Sequence, residues 1–274
     1  MLVALVMACG NPVLWKTAEQ QAAAGYAAGT DREDFAFIEA AAGTQDGLDA
    51  TQLVVRGEYK AISPDDDPDR AANVALAADS LDGLEIKPGA VLSVNEVLGD
   101  TAHDERYRMA DVAGGAKIVQ ERGGGVCQAS TALYIAAVKA GMEVVERHPH
   151  GAVCDFAPIG LDAMLAYGEK DLRIKNASDT SVFIRATALG QTVDVKLFGA
   201  ALPEGDAIDA TSSIVDCSEV PASEAFDDPA AEGMAPDDPV TIYVAESYRV
   251  LSHEGSEASK ELLAIDTYRA RANP

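Results

Sequence analysis

Positive charge is scarce in this sequence. Lysine and arginine number 21 against 45 aspartates and glutamates, a formal net charge of −24 at pH 7. Nucleic acids and anionic membrane surfaces need clustered Lys and Arg to neutralise phosphate, so both are poor partners here. The excess of carboxylates reads as a solvated surface. Long apolar runs are also missing: the stretch from Met1 to Ala8 is far shorter than the ~20 residues a membrane-spanning helix requires. No internal repeat is visible. Cysteine is confined to Cys9, Cys127, Cys154 and Cys217, without the paired spacing of structural zinc sites. His148, His150, Cys154, Cys127 and Asp162 are of ligand type, but that spacing is lacking, so neither a metal nor another cofactor is expected.

What is present suffices for a folded core. Hydrophobic residues make up 48% of 274 residues, enough for one large domain or two smaller ones. At the start, Val6-Met7-Ala8-Cys9-Gly10 puts small residues and a cysteine at the end of an apolar run, as in a bacterial lipoprotein signal, although the basic segment expected before such a run is absent. Two readings follow: an exported chain anchored to the membrane through a lipid on Cys9, its residues 1–15 a truncated signal, or a buried N-terminal segment. If Cys9 is lipidated, three cysteines remain. Cys154 and Cys217 then either pair in an oxidising compartment, leaving Cys127 as the odd thiol, or are small buried hydrophobes.

In chain order, residues 16–50 read as a helical segment broken near Gly29-Thr30-Asp31. Residues 52–62 alternate as a half-buried strand. Ser63–Pro68 turns into a helix with Pro68 at its first position and Ala71, Val74, Ala75, Ala78 and Leu81 on its apolar side. A short strand is expected at Val91–Val97; 107–122 is irregular around Gly114-Gly115. Strands are expected at Met142–Glu146, Met164–Tyr167 and Leu172–Lys175, then a hairpin from Ser181–Ala188 and Gln191–Phe198 across Gly190. Residues 203–239, rich in Pro, Asp, Ser and Glu, read as an acidic linker. Val240–Leu251 and Leu262–Tyr268 form a closing β extension within 240–274.

The stretch with chemical content is Gly123-Gly124-Gly125-Val126-Cys127-Gln128, followed by a helix over 127–140 with Leu133, Ala136, Ala137 and Ala140 on one face. A cysteine at a helix start meets unpaired N–H groups and the positive end of the helix dipole, which favour a thiolate. Downstream come His148, His150 and Asp162. Cysteine, then histidine, then carboxylate is an order used by thiol enzymes.

These residues also carry a resemblance. Gly123–Gln128, Ser130-Thr131, Leu133-Tyr134, Glu146-Arg147, His150, Gly160, Asp162-Ala163, Asp171 and Asn176, with Arg70, Asn73, Pro88-Gly89 and Ser93–Asn95 upstream, resemble the VanW family, named for a component of some vancomycin-resistance clusters. The likeness runs over roughly residues 59–199, within a domain spanning 51–202, and is weaker at Tyr248-Arg249. Two positions depart: the family has aromatics around the serine where this chain has Leu92 and Val94, and a serine after the histidine where it has Gly151. The resemblance implies an extracytoplasmic, cell-wall setting with peptidoglycan or its peptide precursors as partner, and no particular reaction.

The expected fold is α+β, with the cysteine-bearing helix packed on an antiparallel sheet; a transglutaminase- or papain-like layout is an analogy of arrangement. Three uses of the site compete. In a thiol enzyme, Cys127 is the nucleophile, His150 (or His148) its base and Asp162 the group orienting the imidazole. Gln128 or backbone N–H groups would hold an oxyanion, and Gly124, Gly125, Ser130, Thr131 and Arg147 would contact substrate. In a wall-binding or scaffold module, Cys127 is a buried small residue. In a metal site, His148, His150 and a cysteine are ligands. Tyr134 reads as packing, and Arg147 as pairing with Glu143 or Glu146 unless it binds a carboxylate.

Overall fold

The computed structural model describes residues 34, 37, 40, 52–114 and 117–271. The expectations for Cys9, the signal-like segment and most of the N-terminal helical segment lie outside these residues. In chain order the elements are β1 (Leu53–Ile62), α1 (Pro68–Leu81), β2 (Glu85–Ile86), β3 (Val91–Ser93), α2 (Val94–Leu98), β4 (Met109–Gly114), β5 (Lys117–Arg122), α3 (Val126–Lys139), β6 (Glu143–Glu146), β7 (Arg173–Lys175), β8 (Val182–Leu189), β9 (Thr192–Ala200), β10 (Asp206–Pro221), α4 (Ala222–Ala225), β11 (Pro239–His253) and β12 (Ser256–Arg271). The strands form antiparallel sheets ordered β1-β9-β8-β2, β3-β7-β6 and β10-β11-β12, plus the hairpin β4-β5. The fold is α+β.

Helix α3 is the centre. Its residues 128–138 are all buried, because it is covered by α1, β1, β9, β6 and β10. A helix apolar around its whole circumference belongs inside a core, and the sequence obliges: Ala129, Ala132, Leu133, Ile135, Ala136, Ala137 and Val138 lie in one cluster with Val74, Leu81, Ile174, Ile184, Val195 and Leu197. The small residues allow close approach. Strand β1 crosses so tightly that a Cβ on Gly57 would sit 2.2 Å from the Ala136 carbonyl oxygen. The β1–β9 register shifts between Val55 and Gly57 at this crossing, a bulge of the kind that bends a strand.

Helix α1 starts as expected. The Asp67 carboxylate accepts from the Asp69 N–H at 2.9 Å, and Pro68 occupies the first turn. Its buried side also takes Arg70 and Asn73, which an apolar-pattern reading omits.

Four expectations are corrected. Val91–Val97 is strand only through Ser93; the Ser93 hydroxyl accepts from the Glu96 N–H at 3.1 Å and starts α2. Met164–Tyr167 is no strand, its backbone being laced to other segments with a single bridge between Ala166 and Lys170. Residues 109–122 form the β4–β5 hairpin, apart from 115 and 116, which lie outside the described residues. The expected linker contains the 16-residue strand β10 and the short α4. Strand β10 pairs with β11 from Asp206↔His253 to Pro221↔Pro239. That continuous backbone ladder overrides a polar composition that carries little strand signal of its own.

Candidate functional site

Cys127 occupies the first turn of α3. Gly125 precedes it as the cap in a left-handed conformation, φ 103°. A Cβ there would lie 2.9 Å from both Arg70 Cγ and Val74 Cγ2, so glycine is required both by φ and by the closeness of α1. Asn73 of α1 donates to the carbonyls of Gly124 (2.9 Å) and Arg108 (3.0 Å) and accepts from the Arg108 N–H at 2.7 Å. The glycine loop is thus a joint between buried elements. Its glycines contact α1 and β4 rather than presenting a ligand surface, which corrects the substrate-binding expectation for Gly124 and Gly125.

Below the thiol run two segments, 148–150 and 162–165. They are joined where the Met164 N–H donates to the His148 carbonyl at 2.8 Å. Helix α3 grips the second segment: Ser130 Oγ donates to the Ala163 carbonyl at 2.6 Å, and Thr131 Oγ1 accepts from the Ala163 N–H at 2.9 Å. The Leu165 N–H points at Cys127 Sγ from 3.4 Å. Ser130 and Thr131 are wholly buried, so they fasten the segment bearing Asp162; as substrate contacts they are corrected.

Asp162 is held from every side. Its Oδ2 accepts from the His150 backbone N–H at 2.7 Å and lies 2.5 Å from His150 Nδ1. Its Oδ1 accepts from Arg147 Nη2 at 2.9 Å and from the Tyr268 hydroxyl at 2.5 Å. An ionised carboxylate only accepts, so His150 Nδ1 carries a proton and Nε2 is left to the other side of the ring. On that side His150 acts on Cys127 and Cys154 alike, favouring the thiolate of each. Phe156 meets the imidazole edge-on at 6.1 Å. The His150 side chain keeps 15% of its surface exposed, and both thiols are half-buried.

The electrostatics separate the two thiols. Burial alone would push the Cys127 thiol up, but the hydrogen bond and charge of His150, with the Leu165 N–H, outweigh it and hold Cys127 below its ordinary value. Burial pushes Cys154 up, and His150 offsets only part of that. Burial would lower His150; its bonds to Asp162, Cys127 and Cys154 prevail and hold it well above the usual histidine range. Burial works against ionised Asp162, yet His150, Arg147 and Tyr268 keep it below the usual carboxylate range. In direction, these shifts are those of an imidazole between a carboxyl and a thiol, each charged form favouring the next.

Cys127, His150 and Asp162 therefore come together as the sequence order suggested. Other expected site residues do not join them. Gln128 is fully buried, donates to the carbonyls of Ala61 (3.1 Å) and Gln191 (2.7 Å), and accepts from Arg70 at 3.1 Å. Both amide hydrogens are spent, so Gln128 is corrected from oxyanion donor to a tie between α3, β1 and α1. His148 bonds Glu146 at 2.9 Å and is corrected from its role as alternative base. Arg147 pairs with Asp162 and Asp266 rather than with Glu143 or Glu146, stacks over Tyr134 at 5.5 Å, and is 5% exposed. It is part of the scaffold and not a substrate contact. Cys154 is a free thiol, which removes the Cys154–Cys217 pairing.

His150, Cys154 and Asp162 offer donor atoms within 4.8 Å of one another. The carboxylate, however, already takes four hydrogen bonds and has no lone pair to spare for a cation.

Two residues of the cluster were not expected: Tyr268 and Asp266, both from β12. The available signal was the alternation of that strand, which puts Asp266 on the same buried face as Tyr268; an acid among core-facing residues asks for a cationic partner.

Among the described residues no helix is long and apolar enough to cross a membrane. A family model described as "VanW like protein" matches residues 69–198. The chain is 28% identical over 142 residues to the uncharacterized protein YoaR of Bacillus subtilis, covering 52% of this chain and 47% of that one. It is also 28% identical over 138 residues to the vancomycin B-type resistance protein VanW of Enterococcus faecalis, covering 48% and 50%. The chain thus spans about half the length of the curated relatives it matches. No solved structure matches it.

Proposed function

Because the chain belongs, through residues 69–198, to the VanW-like family, we propose that it is a thiol-dependent acyl-transfer protein of the cell envelope, acting on an amide bond of a peptidoglycan peptide. The observation that carries this is one imidazole, His150, held by the buried Asp162 carboxylate at 2.5 Å and acting to favour the thiolate of Cys127 in the first turn of a helix. The cell-wall setting is supported by the relative named as a vancomycin-resistance protein.

In this mechanism the Cys127 thiolate attacks the amide carbonyl. The oxyanion forms near the N–H of Cys127, one of the first-turn donors without an intrahelical acceptor. His150 Nε2 gives its proton to the departing amine, leaving a thioester on Cys127. Neutral His150 then takes a proton from water, or from an acceptor amine, as that group attacks the thioester and frees the thiolate. Asp162 stays ionised and keeps Nδ1 protonated throughout.

A non-catalytic wall-binding role competes, favoured by one observation: Gln128, the glycines, Ser130 and Thr131 all serve internal contacts.

The deciding experiment pairs the pH dependence of Cys127 alkylation with incubation of the protein on peptidoglycan fragments. The enzyme reading expects a midpoint well below ~8.5 that rises in His150→Ala, and new amines or cross-links that vanish in Cys127→Ser. An ordinary midpoint indifferent to His150→Ala, with fragments bound but unchanged, selects the binding module.

A further inference from the structure

We infer that Tyr268 is a positioning residue for the Cys127–His150–Asp162 cluster, which makes the sheet β10-β11-β12 a working part of that site. The inference rests on the thiol reading above. Strand β12 lies beyond the stretch matching the family, which ends at residue 198.

The tyrosine hydroxyl has one proton and two lone pairs. It accepts from the Gly160 N–H at 3.1 Å and from Arg147 Nη2 at 3.2 Å. Its proton then has two carboxylate acceptors, Asp162 Oδ1 at 2.5 Å and Asp266 Oδ2 at 3.5 Å, and the shorter contact directs it to Asp162. The ring cannot drift: it is 1% exposed, packed with Ile159, Tyr243 and Ala245, and lies opposite Tyr243 in the β11–β12 register. Two residues earlier on the same face, Asp266 ion-pairs with Arg147 Nη1. Arg147 is therefore stretched between Asp162 and an acid of the C-terminal sheet, with the tyrosine closing the triangle. The sheet is fastened to the domain by further bonds: the Arg269 N–H donates to the carbonyl of Gly151, next to His150, at 2.8 Å, and Arg249 Nη2 donates to the Met142 carbonyl past the far end of α3.

The consequence is electrostatic. A hydrogen bond donated to the ionised form of a carboxylate favours that form. A fixed, ionised Asp162 supports the His150 imidazolium, and the imidazolium supports the Cys127 thiolate. Loss of the Tyr268 hydroxyl is thus transmitted through Asp162 and His150 to the thiol, an effect a purely packing role does not have.

The test uses the full chain as wild type, Tyr268→Phe, Tyr243→Phe and His150→Ala, reading the pH midpoint of Cys127 alkylation by iodoacetamide alongside the melting temperature. Tyr268→Phe is expected to raise the midpoint, with thiolate content near neutral pH falling up to about tenfold for each unit of rise. Tyr243→Phe, which alters the same apolar cluster, is expected to shift melting only. A midpoint that responds to His150→Ala but not to Tyr268→Phe overturns this inference and leaves the thiol reading standing. A wild-type midpoint that ignores His150→Ala overturns the thiol reading itself. Should Tyr268→Phe not fold, 3-fluorotyrosine at position 268 keeps ring and hydroxyl while making the hydroxyl a stronger donor. The midpoint must then fall, and an unmoved midpoint overturns the inference.

Discussion

Arg147 and Asp162 form an ion pair almost entirely out of water: Nη2 stands 2.9 Å from Oδ1, with the side chains 5% and 2% exposed. Removing one partner of such a pair leaves an uncompensated buried charge, typically costing about 3–5 kcal/mol. Arg147→Met should therefore lower unfolding free energy by about that amount, read from the urea midpoint. Arg147→Lys should not restore it. A lysine cannot reproduce the planar fork that reaches the Asp162 carbonyl, both aspartates and Tyr268 at once.

Gln128 gives a prediction of opposite kind. Gln128→Ala leaves the Ala61 and Gln191 carbonyls and one Arg70 nitrogen without their partner, and an unsatisfied buried polar group costs about 1–3 kcal/mol. Stability should fall by at least that much while the alkylation midpoint of Cys127 stays put. An intact melting curve with a changed midpoint would return Gln128 to the chemistry.

The contrast between Cys127 and Gln128 shows what the sequence could convey. Local rules were enough for the start of α1 at Pro68, helix α3 with its cysteine in the first turn, and the β8–β9 hairpin across Gly190, because turn chemistry and periodicity act within a few residues. The order cysteine, histidine, aspartate was readable, and those three meet. Side-chain direction was not readable: neighbours on a helix point about 100° apart, so Cys127 faces His150 while Gln128 faces the interior. Long-range partners were hidden too. Tyr268 reaches Asp162 across 106 residues, and β10 owes its form to its pairing with β11, which polar composition does not announce.

Gly125 is testable by adding one carbon. With φ at 103° and a Cβ position 2.9 Å from Arg70 Cγ and Val74 Cγ2, Gly125→Ala meets both backbone strain and a steric conflict, together costing on the order of 1–3 kcal/mol. The melting temperature should drop. Gly151→Ala, also at positive φ but with open space around its Cβ, should cost less, separating the clash from the strain.

The paired shifts of Asp162 and His150 fix a pH window for stability. Asp162 is held below its ordinary value, so its contribution is present above the unfolded-state pKa of about 3.9 and is lost as pH falls through the folded value. His150 is held above its ordinary value, so its contribution is complete below about 6.5 and is lost as pH rises through the folded value. Both are in force between roughly pH 4 and 6.5. The stability difference between wild type and His150→Gln should be largest there and should shrink toward alkaline pH, as urea unfolding at a series of pH values would record. A difference that stays flat up to pH 9 would mean that the imidazole is neutral in the fold.

Cys127 and Cys154 share one imidazole, and their order of reaction tests which of them it ionises. Burial disfavours both thiolates. For Cys127 the His150 hydrogen bond, its charge and the Leu165 N–H outweigh burial, and the first turn of α3 adds unpaired N–H groups and the helix dipole. For Cys154 burial prevails. Exposure does not decide the matter, since both are half-buried; the thiolate is the reactive species, so ionisation does. Limited iodoacetamide near pH 7, followed by peptide mass spectrometry, should label Cys127 first and leave Cys154 largely untouched. In Cys127→Ala, Cys154 should remain slow until alkaline pH, because the carboxylate-backed imidazolium alone does not overcome its burial. Labelling of Cys154 ahead of Cys127 would reverse the assignment and make Cys154 the nucleophile of the site.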